Sequence, residues 1–109
     1  MATFMISFRI ASDSDHSNRW ASTVAAIRRE AIGGIYWEET TSLIVLKSDK
    51  LADSLASAIF VGSEFNSTKD TLLVVNTVSN TYATRGKVDY PSTLNGLFTQ
   101  QNSLSSIFR

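Results

Sequence analysis

The side chains with the clearest chemical potential lie together just after the first hydrophobic segment. Asp13, Asp15 and His16 bring two carboxylates and the only histidine of the chain within a few positions. Carboxylate oxygens and imidazole nitrogens bind divalent cations, so these residues form a candidate metal site. The alternative is that Asp13 or Asp15 caps the following helix, whose N-terminus favours negative charge. Because no nucleophile-elbow motif accompanies His16, a Ser-His-Asp triad is not expected.

Arg9 is a second candidate, because it ends an otherwise apolar segment. The alternation of the first strand places Arg9 on the face opposite the apolar residues. One interpretation is an arginine that binds a phosphate group. The other is an ion pair with Glu38 or Glu39 on a neighbouring hairpin, which would fix the register of a dimer.

Further binding candidates are basic and aromatic. Arg28 and Arg29, together with Arg19, could form a basic stripe on the first helix, although such residues more often form a solvated face. Tyr82 and Arg85 lie in a segment that could form a loop and stack on or clamp a ligand. The glycine-rich phosphate-binding motifs are absent, no cofactor is predicted, and no catalytic residue is assigned.

Hydrophobic periodicity predicts the elements that position these residues. A period of two predicts a strand over residues 4–10, and the polar segment 11–18 predicts the start of a helix that ends near Gly33-Gly34. Two strands over 35–38 and 42–47, a helix over 51–59 and a strand over 71–78 follow. Residues 79–86 are expected to form a turn or an irregular strand end, and residues 87–90 a short edge strand. Pro91 suits the first position of a last helix.

The order strand, helix, two strands, helix, strand predicts a ferredoxin-like α+β sandwich, in which two helices cover one face of an antiparallel sheet. We expect residues 1–86 to form this domain. Residues 87–109 are expected to form a C-terminal extension that contacts a partner subunit.

Two of the strands carry apolar residues on both faces. Such strands leave a second apolar surface on the helix-free side of the sheet, and exposed patches of that size usually mark an interface. Two covers are considered: a second copy packed sheet to sheet, or the C-terminal tail with Leu104, Ile107 and Phe108. The alternating residues are Leu43 and Val45 against Ile44 and Leu46, and Leu72, Val74 and Val78 against Leu73 and Val75.

Composition excludes several classes of protein. Ten basic and ten acidic residues cancel, so no general field favours tight, non-specific nucleic-acid binding. The chain has no cysteine, which excludes disulfides and thiolate chemistry. No apolar run has the roughly 18 residues that a membrane helix needs, and residues 1–10 do not read as a signal peptide. We therefore expect a cytoplasmic protein with no membrane partner.

Several segments together resemble a known group of proteins. They are Phe4-Met5-Ile6-Ser7-Phe8, the first helix ending near Gly33-Gly34, the hairpin from Tyr36 to Val45, and Thr71-Leu72-Leu73-Val74-Val75. Over residues 4–86 the chain is similar to the small ferredoxin-like proteins of the CRISPR spacer-acquisition nuclease superfamily, most of all to its SinR-like sister group of unknown function.

The resemblance implies a homodimer with facing sheets, and it implies that an aromatic–aspartate pair at the end of the first strand supplies a metal ligand. Phe8 and Arg9 occupy those positions here, and a cation cannot ligate Mg²⁺. We therefore expect a non-catalytic homodimeric binding or assembly module that is not an enzyme, with nucleic acid as a possible further partner. The alternatives are a Mg²⁺-dependent nuclease that uses Asp13 and Asp15, and a toxin- or antitoxin-like interaction protein.

Overall fold

A computed structural model describes residues 1–99 as an α+β domain built on one five-stranded antiparallel sheet, compatible with the expected ferredoxin-like fold. The strand order is β2-β3-β1-β4-β5. The first four strands of that order are those of a βαββαβ sandwich, and β5 extends the sheet at one edge. The strands are β1 (Ala2–Arg9), β2 (Tyr36–Trp37), β3 (Leu43–Ser48), β4 (Thr71–Asn76) and β5 (Thr81–Gly86).

In the described part of the chain, three α-helices accompany the sheet: α1 (His16–Arg29), α2 (Ala52–Val61) and α3 (Pro91–Thr99). The first helix ends one turn before the predicted boundary, because the backbone of Ala31 is extended. Gly33 and Gly34 then belong to a separate turn, in which both have φ of 70°. A left-handed conformation of this kind favours glycine. Within residues 1–99, no helix has the length and apolar character required to cross a bilayer.

The hydrophobic core lies between the sheet and the helices α1 and α2. Alternate strand residues face the helices, so Phe4, Ile6 and Phe8 of β1 are buried whereas the residues between them are exposed. Leu55 and Ile59 of α2 are fully buried against the same side. The helices α1 and α2 therefore cover one apolar surface of the sheet, and neither of them covers the opposite surface, which we call the helix-free face for that reason.

The segment after β4 differs from the prediction. Residues 81–86 form a regular strand paired with β4 along its full length, and not a turn or an irregular end. Residues 87–90, predicted as an edge strand, are not a strand. A reversal at Asn80, which has φ of 58°, joins the two strands and explains the difference, because asparagine tolerates this left-handed conformation.

Candidate functional site

One row of side chains crosses the whole sheet on its helix-free face. The register aligns Trp37 with Val45, Val45 with Met5, Met5 with Val75, and Val75 with Tyr82. Each strand thus contributes one apolar or aromatic residue, and we call these five residues the cross-sheet row. Adjacent members are cross-strand neighbours about 5 Å apart, so they form a continuous apolar surface.

The cross-sheet row is partly covered at one end. Phe98 of α3 packs on Tyr82 with ring centroids 4.5 Å apart, and the Tyr82 hydroxyl donates a hydrogen bond to Asn95 Oδ1 at 3.0 Å. Further along the row, Met5 is 41% exposed and Trp37 is 43% exposed. The helix α3 therefore covers the β5 end of the row, and the centre and the β2 end stay open to solvent in the described part of the chain.

An apolar groove continues the row beyond β2. It has a volume of about 630 Å³, and its walls include Met1, Ile32, Ile35 and Trp37. Ile35 is 76% exposed, and it lies beside other exposed apolar residues of the groove, which makes a patch and not an isolated side chain. The groove and the open part of the row form one apolar surface at the β2 side of the sheet.

The other end of the helix-free face is polar and basic. Arg9 lies opposite Thr71 in the register, and Thr71 lies opposite Gly86. Arg9 and Thr71 line a pocket of about 350 Å³ with Ser7 and Lys87. The Arg9 side chain is exposed, and it makes no hydrogen bond or ion pair with any residue from 1 to 99.

The two glutamates predicted as partners of Arg9 are placed elsewhere. Glu38 accepts a hydrogen bond from Arg28 Nη2 at 2.9 Å, and Arg28 also lies over the Tyr36 ring, 5.5 Å from its centroid. The hydrogen bond to Arg28 lowers the pKa of Glu38 and raises the pKa of Arg28. Glu39 is exposed. Within the described chain, Arg9 thus stays available to a ligand or a partner.

The predicted metal cluster does not assemble as a set of free ligands. Asp13 accepts hydrogen bonds from Arg19 and Lys69, and the hydrogen bond from Arg19, with that from Lys69, holds the pKa of Asp13 far below its usual range. Asp15 occupies the N-cap of α1, but its carboxylate accepts from the Asn18 side chain and not from the helix backbone. His16 is the first residue of α1. Among residues 1–99, no three His, Asp or Glu side chains come together in an arrangement that could hold a metal ion.

Arg19 was predicted on an exposed basic stripe, and this prediction is wrong. Its side chain is 4% exposed and contacts Asp70, whose side chain is fully buried. Arg19 Nε donates to Asp70 Oδ2 at 2.9 Å, Nη2 donates to Asp70 Oδ1 at 3.2 Å, and Nη2 also donates to the Ala11 carbonyl at 3.1 Å. With Nη1 bound to Asp13, every nitrogen of the guanidinium has an acceptor.

Asp70 is satisfied in the same way. Oδ1 also accepts from the Ala11 backbone N–H and Oδ2 from the Asn66 backbone N–H, both at 2.9 Å. Burial alone would raise the pKa of Asp70, but the hydrogen bonds from Arg19, Ala11 and Asn66 outweigh it and the pKa is lowered. This network joins the loop after β1 to the loop before β4. Its complete hydrogen bonding makes it a structural clamp and not a reactive site.

The remaining binding candidates, Arg29 and Arg85, make hydrogen bonds within the fold. Arg29 Nη2 donates to the Gly62 carbonyl at the end of α2, at 2.7 Å. Arg85 faces α2, where Nη2 donates to Asp53 Oδ1 at 2.9 Å and to Ser57 Oγ at 2.6 Å. Tyr82 contacts α3 instead, so Tyr82 and Arg85 do not form a common clamp.

Sequence reasoning missed Asp70 and the alignment of the cross-sheet row. The signal for Asp70 was its position directly before a buried strand. The signal for the row was present in the two-sided strands, but the register that aligns its members is a tertiary property.

Neither a protein-family model, nor a curated protein, nor a solved structure matches this chain. The resemblance to the spacer-acquisition proteins therefore stays a prediction.

Proposed function

We propose that this chain is a homodimeric assembly module that associates through the helix-free face of its sheet, without catalytic activity of its own. The observation that carries the proposal is the cross-sheet row, in which every strand contributes an apolar or aromatic residue to one surface. An ordinary monomer with an open sheet face carries polar residues there, because that face meets water.

A second copy of the chain is the occupant that fits this surface. The strands lie about 4.8 Å apart and rise about 3.3 Å per residue. Because β2 has only two residues and the other strands have six to eight, the projected face is roughly 400 Å², and α3 covers part of it. The open surface is thus smaller than the roughly 800 Å² per partner of a standard interface and fits a weak dimer. Sheets also pack face to face readily, with interdigitated side chains.

The energetic gain comes from the residues that α3 leaves open. Covering the exposed parts of Met5 and Trp37 contributes on the order of 1 kcal/mol each per protomer, and the half-buried members of the row add to this. A two-fold dimer uses each contact twice. An association in the micromolar range is the expected result.

A lysine at position 5 provides the test. In a monomer, Met5→Lys places its ammonium group in water, because the methionine is already 41% exposed and a long stem can follow the surface. In a sheet-to-sheet dimer, the same substitution buries two unpaired charges, which is strongly unfavourable. Val61→Lys is the matched control, because Val61 ends α2 and is 80% exposed.

The measurement is the mass in solution by multi-angle light scattering. The proposal predicts a dimer for the native chain and for Val61→Lys, and a monomer for Met5→Lys with an unchanged far-ultraviolet circular dichroism spectrum. A Met5→Lys variant that keeps the dimeric mass would show that another surface holds the copies together.

The nuclease alternative has no specific support in the geometry. The Asp13 carboxylate that it requires is already bound by Arg19 and Lys69. If Asp13 bound a metal ion instead, the nearly buried guanidinium of Arg19 would lose one of the two carboxylates that accept its hydrogen bonds, which is unfavourable.

A further inference from the structure

The basic end of the helix-free face has the features of a small-molecule site. We define the basic pocket by Ser7, Arg9, Thr71, Leu73, Lys87 and Tyr90. Its volume of about 350 Å³ is at the lower end of the range for ligand pockets. It is distinct from the apolar groove, which lies at the β2 side of the sheet.

Two cations define the charge of the pocket. Arg9 has no side-chain partner among residues 1–99. Lys87 lies 3.6 Å from the Asp89 carboxylate in a pair whose two side chains are about half exposed, and such a pair contributes little. The pocket therefore carries a net positive charge of about one in a chain whose overall charge is zero.

The other residues of the basic pocket fit a ligand that has a polar group at one end and a flat apolar ring at the other. The hydroxyl groups of Ser7 and Thr71 lie beside Arg9 on the same sheet face. Thr71 Oγ1 already donates to the Lys87 carbonyl at 2.6 Å, so it is left as an acceptor. Leu73 adds an apolar wall to the same pocket, and Tyr90 is 77% exposed, so its ring is free to stack on a ligand.

We propose that the basic pocket binds an aromatic phosphate monoester of nucleoside-monophosphate size. The phosphate contacts Arg9 and Lys87, because a guanidinium fork matches phosphate oxygens and an ammonium group adds a point charge. The ring contacts Leu73 and Tyr90. Asp89 also lines the pocket, and its carboxylate disfavours the additional charge of a triphosphate.

Isothermal titration calorimetry with adenosine 5′-monophosphate tests the proposal, with adenosine and inorganic phosphate as separate probes. The expected result is measurable binding of the monophosphate, weaker binding of each part alone, and no gain with adenosine triphosphate. Arg9→Gln should weaken binding by at least about tenfold, the cost of a charge-assisted hydrogen bond. Arg29→Gln is the matched control and should bind like the native chain.

Asp89→Asn gives a second test that a damaged fold cannot imitate. Removing the carboxylate leaves Lys87 without its neighbour, so monophosphate binding should become tighter. Equal affinity of Arg9→Gln and Arg29→Gln would overturn the proposal, as would unchanged or weaker binding by Asp89→Asn.

Two further outcomes would also overturn it. One is the absence of monophosphate binding at millimolar concentration. The other is binding of a single-stranded oligothymidylate without binding of the monophosphate, since it would identify the surface as a nucleic-acid contact. Because the pocket lies on the sheet face proposed for the dimer contact, monophosphate binding should be at least as tight in the monomeric Met5→Lys variant. A failure of the dimer and a failure of the pocket are therefore observed separately.

Discussion

The clamp between Arg19 and Asp70 permits a sharp prediction about stability. Asp70→Asn keeps the shape of the side chain but replaces one acceptor oxygen by an NH₂ donor. Each carboxylate oxygen of Asp70 accepts two N–H donors, one from Arg19 and one from the backbone. Whichever oxygen is replaced, one Arg19 N–H and one backbone N–H then point at the NH₂ group of asparagine, which cannot accept their hydrogen bonds. The buried guanidinium of Arg19 also loses its principal counter-charge.

The magnitude follows from the burial. Breaking a buried ion pair on one side costs about 3–5 kcal/mol, and Asp13 still neutralises part of the Arg19 charge. We therefore expect the free energy of unfolding to fall by about 3 kcal/mol. At roughly 4 °C per kcal/mol for a domain of this size, the melting temperature should drop by about 12 °C.

Urea unfolding followed by tryptophan fluorescence measures this change. Asp53→Asn is the matched control: Asp53 pairs with Arg85, but its side chain is 81% exposed, so its loss should cost less than about 1 kcal/mol. Equal losses for the two variants would refute the view that burial makes the Asp70 network the stronger one.

Three other predictions test separate features of the fold. First, the pKa values of Asp70 and Asp13 are lowered in the folded protein. The two carboxylates therefore contribute stability above their unfolded pKa of about 4, and this stability is lost as the pH falls through the folded pKa values. The free energy of unfolding, measured as a function of pH, should decline below about pH 4, and a flat profile would contradict this. Second, Gly86→Ala should destabilise strongly in thermal melts, because a Cβ there would lie 2.0 Å from the Asp70 carbonyl, whereas Gly34→Ala, with positive φ but no atom within 4 Å, should cost only about 1 kcal/mol; similar losses would contradict the role of the close approach. Third, Thr23→Val should raise the free energy of unfolding in urea by about 1 kcal/mol, because it removes a buried hydroxyl that has no hydrogen-bond partner in the described residues. A loss of stability would indicate a partner for that hydroxyl.

The periodicity of the sequence was sufficient for the main elements. Alternation in β1 and the two-sided patterns in β3 and β4 predicted three strands of the sheet, and the polar segment before α1 predicted a helix. These signals are local, because burial on one face dictates the spacing of apolar residues along the same element.

The elements that sequence reasoning missed depend on contacts made elsewhere. β5 contributes only Ala83 to the buried face, so it lacks an alternating apolar pattern, and its pairing with β4 makes it a strand. Arg19 was misplaced because the buried face of α1 includes Thr23 and Ile27, whereas Trp20 lies nearer the solvent. Only the position of Asp70 shows that an arginine belongs on that buried face.

Some features of the candidate sites follow from local sequence pattern, and others depend on contacts between strands. Sequence reasoning identified Arg9 and the second apolar surface from their places in a period-two pattern. It could not identify the alignment of Met5, Trp37 and Tyr82 in one row, because alignment depends on strand register. The tail residues Leu104, Ile107 and Phe108, considered as a cover for this face, lie outside the described residues.

The mass of the native chain in solution tests the central claim most directly. Sedimentation velocity from about 1 to 100 µM should show a species that approaches twice the 12.0 kDa of one chain as the concentration rises. The Met5→Lys variant should stay at the mass of one chain over the same range. A native protein that sediments as a single chain throughout would contradict self-association through the helix-free face.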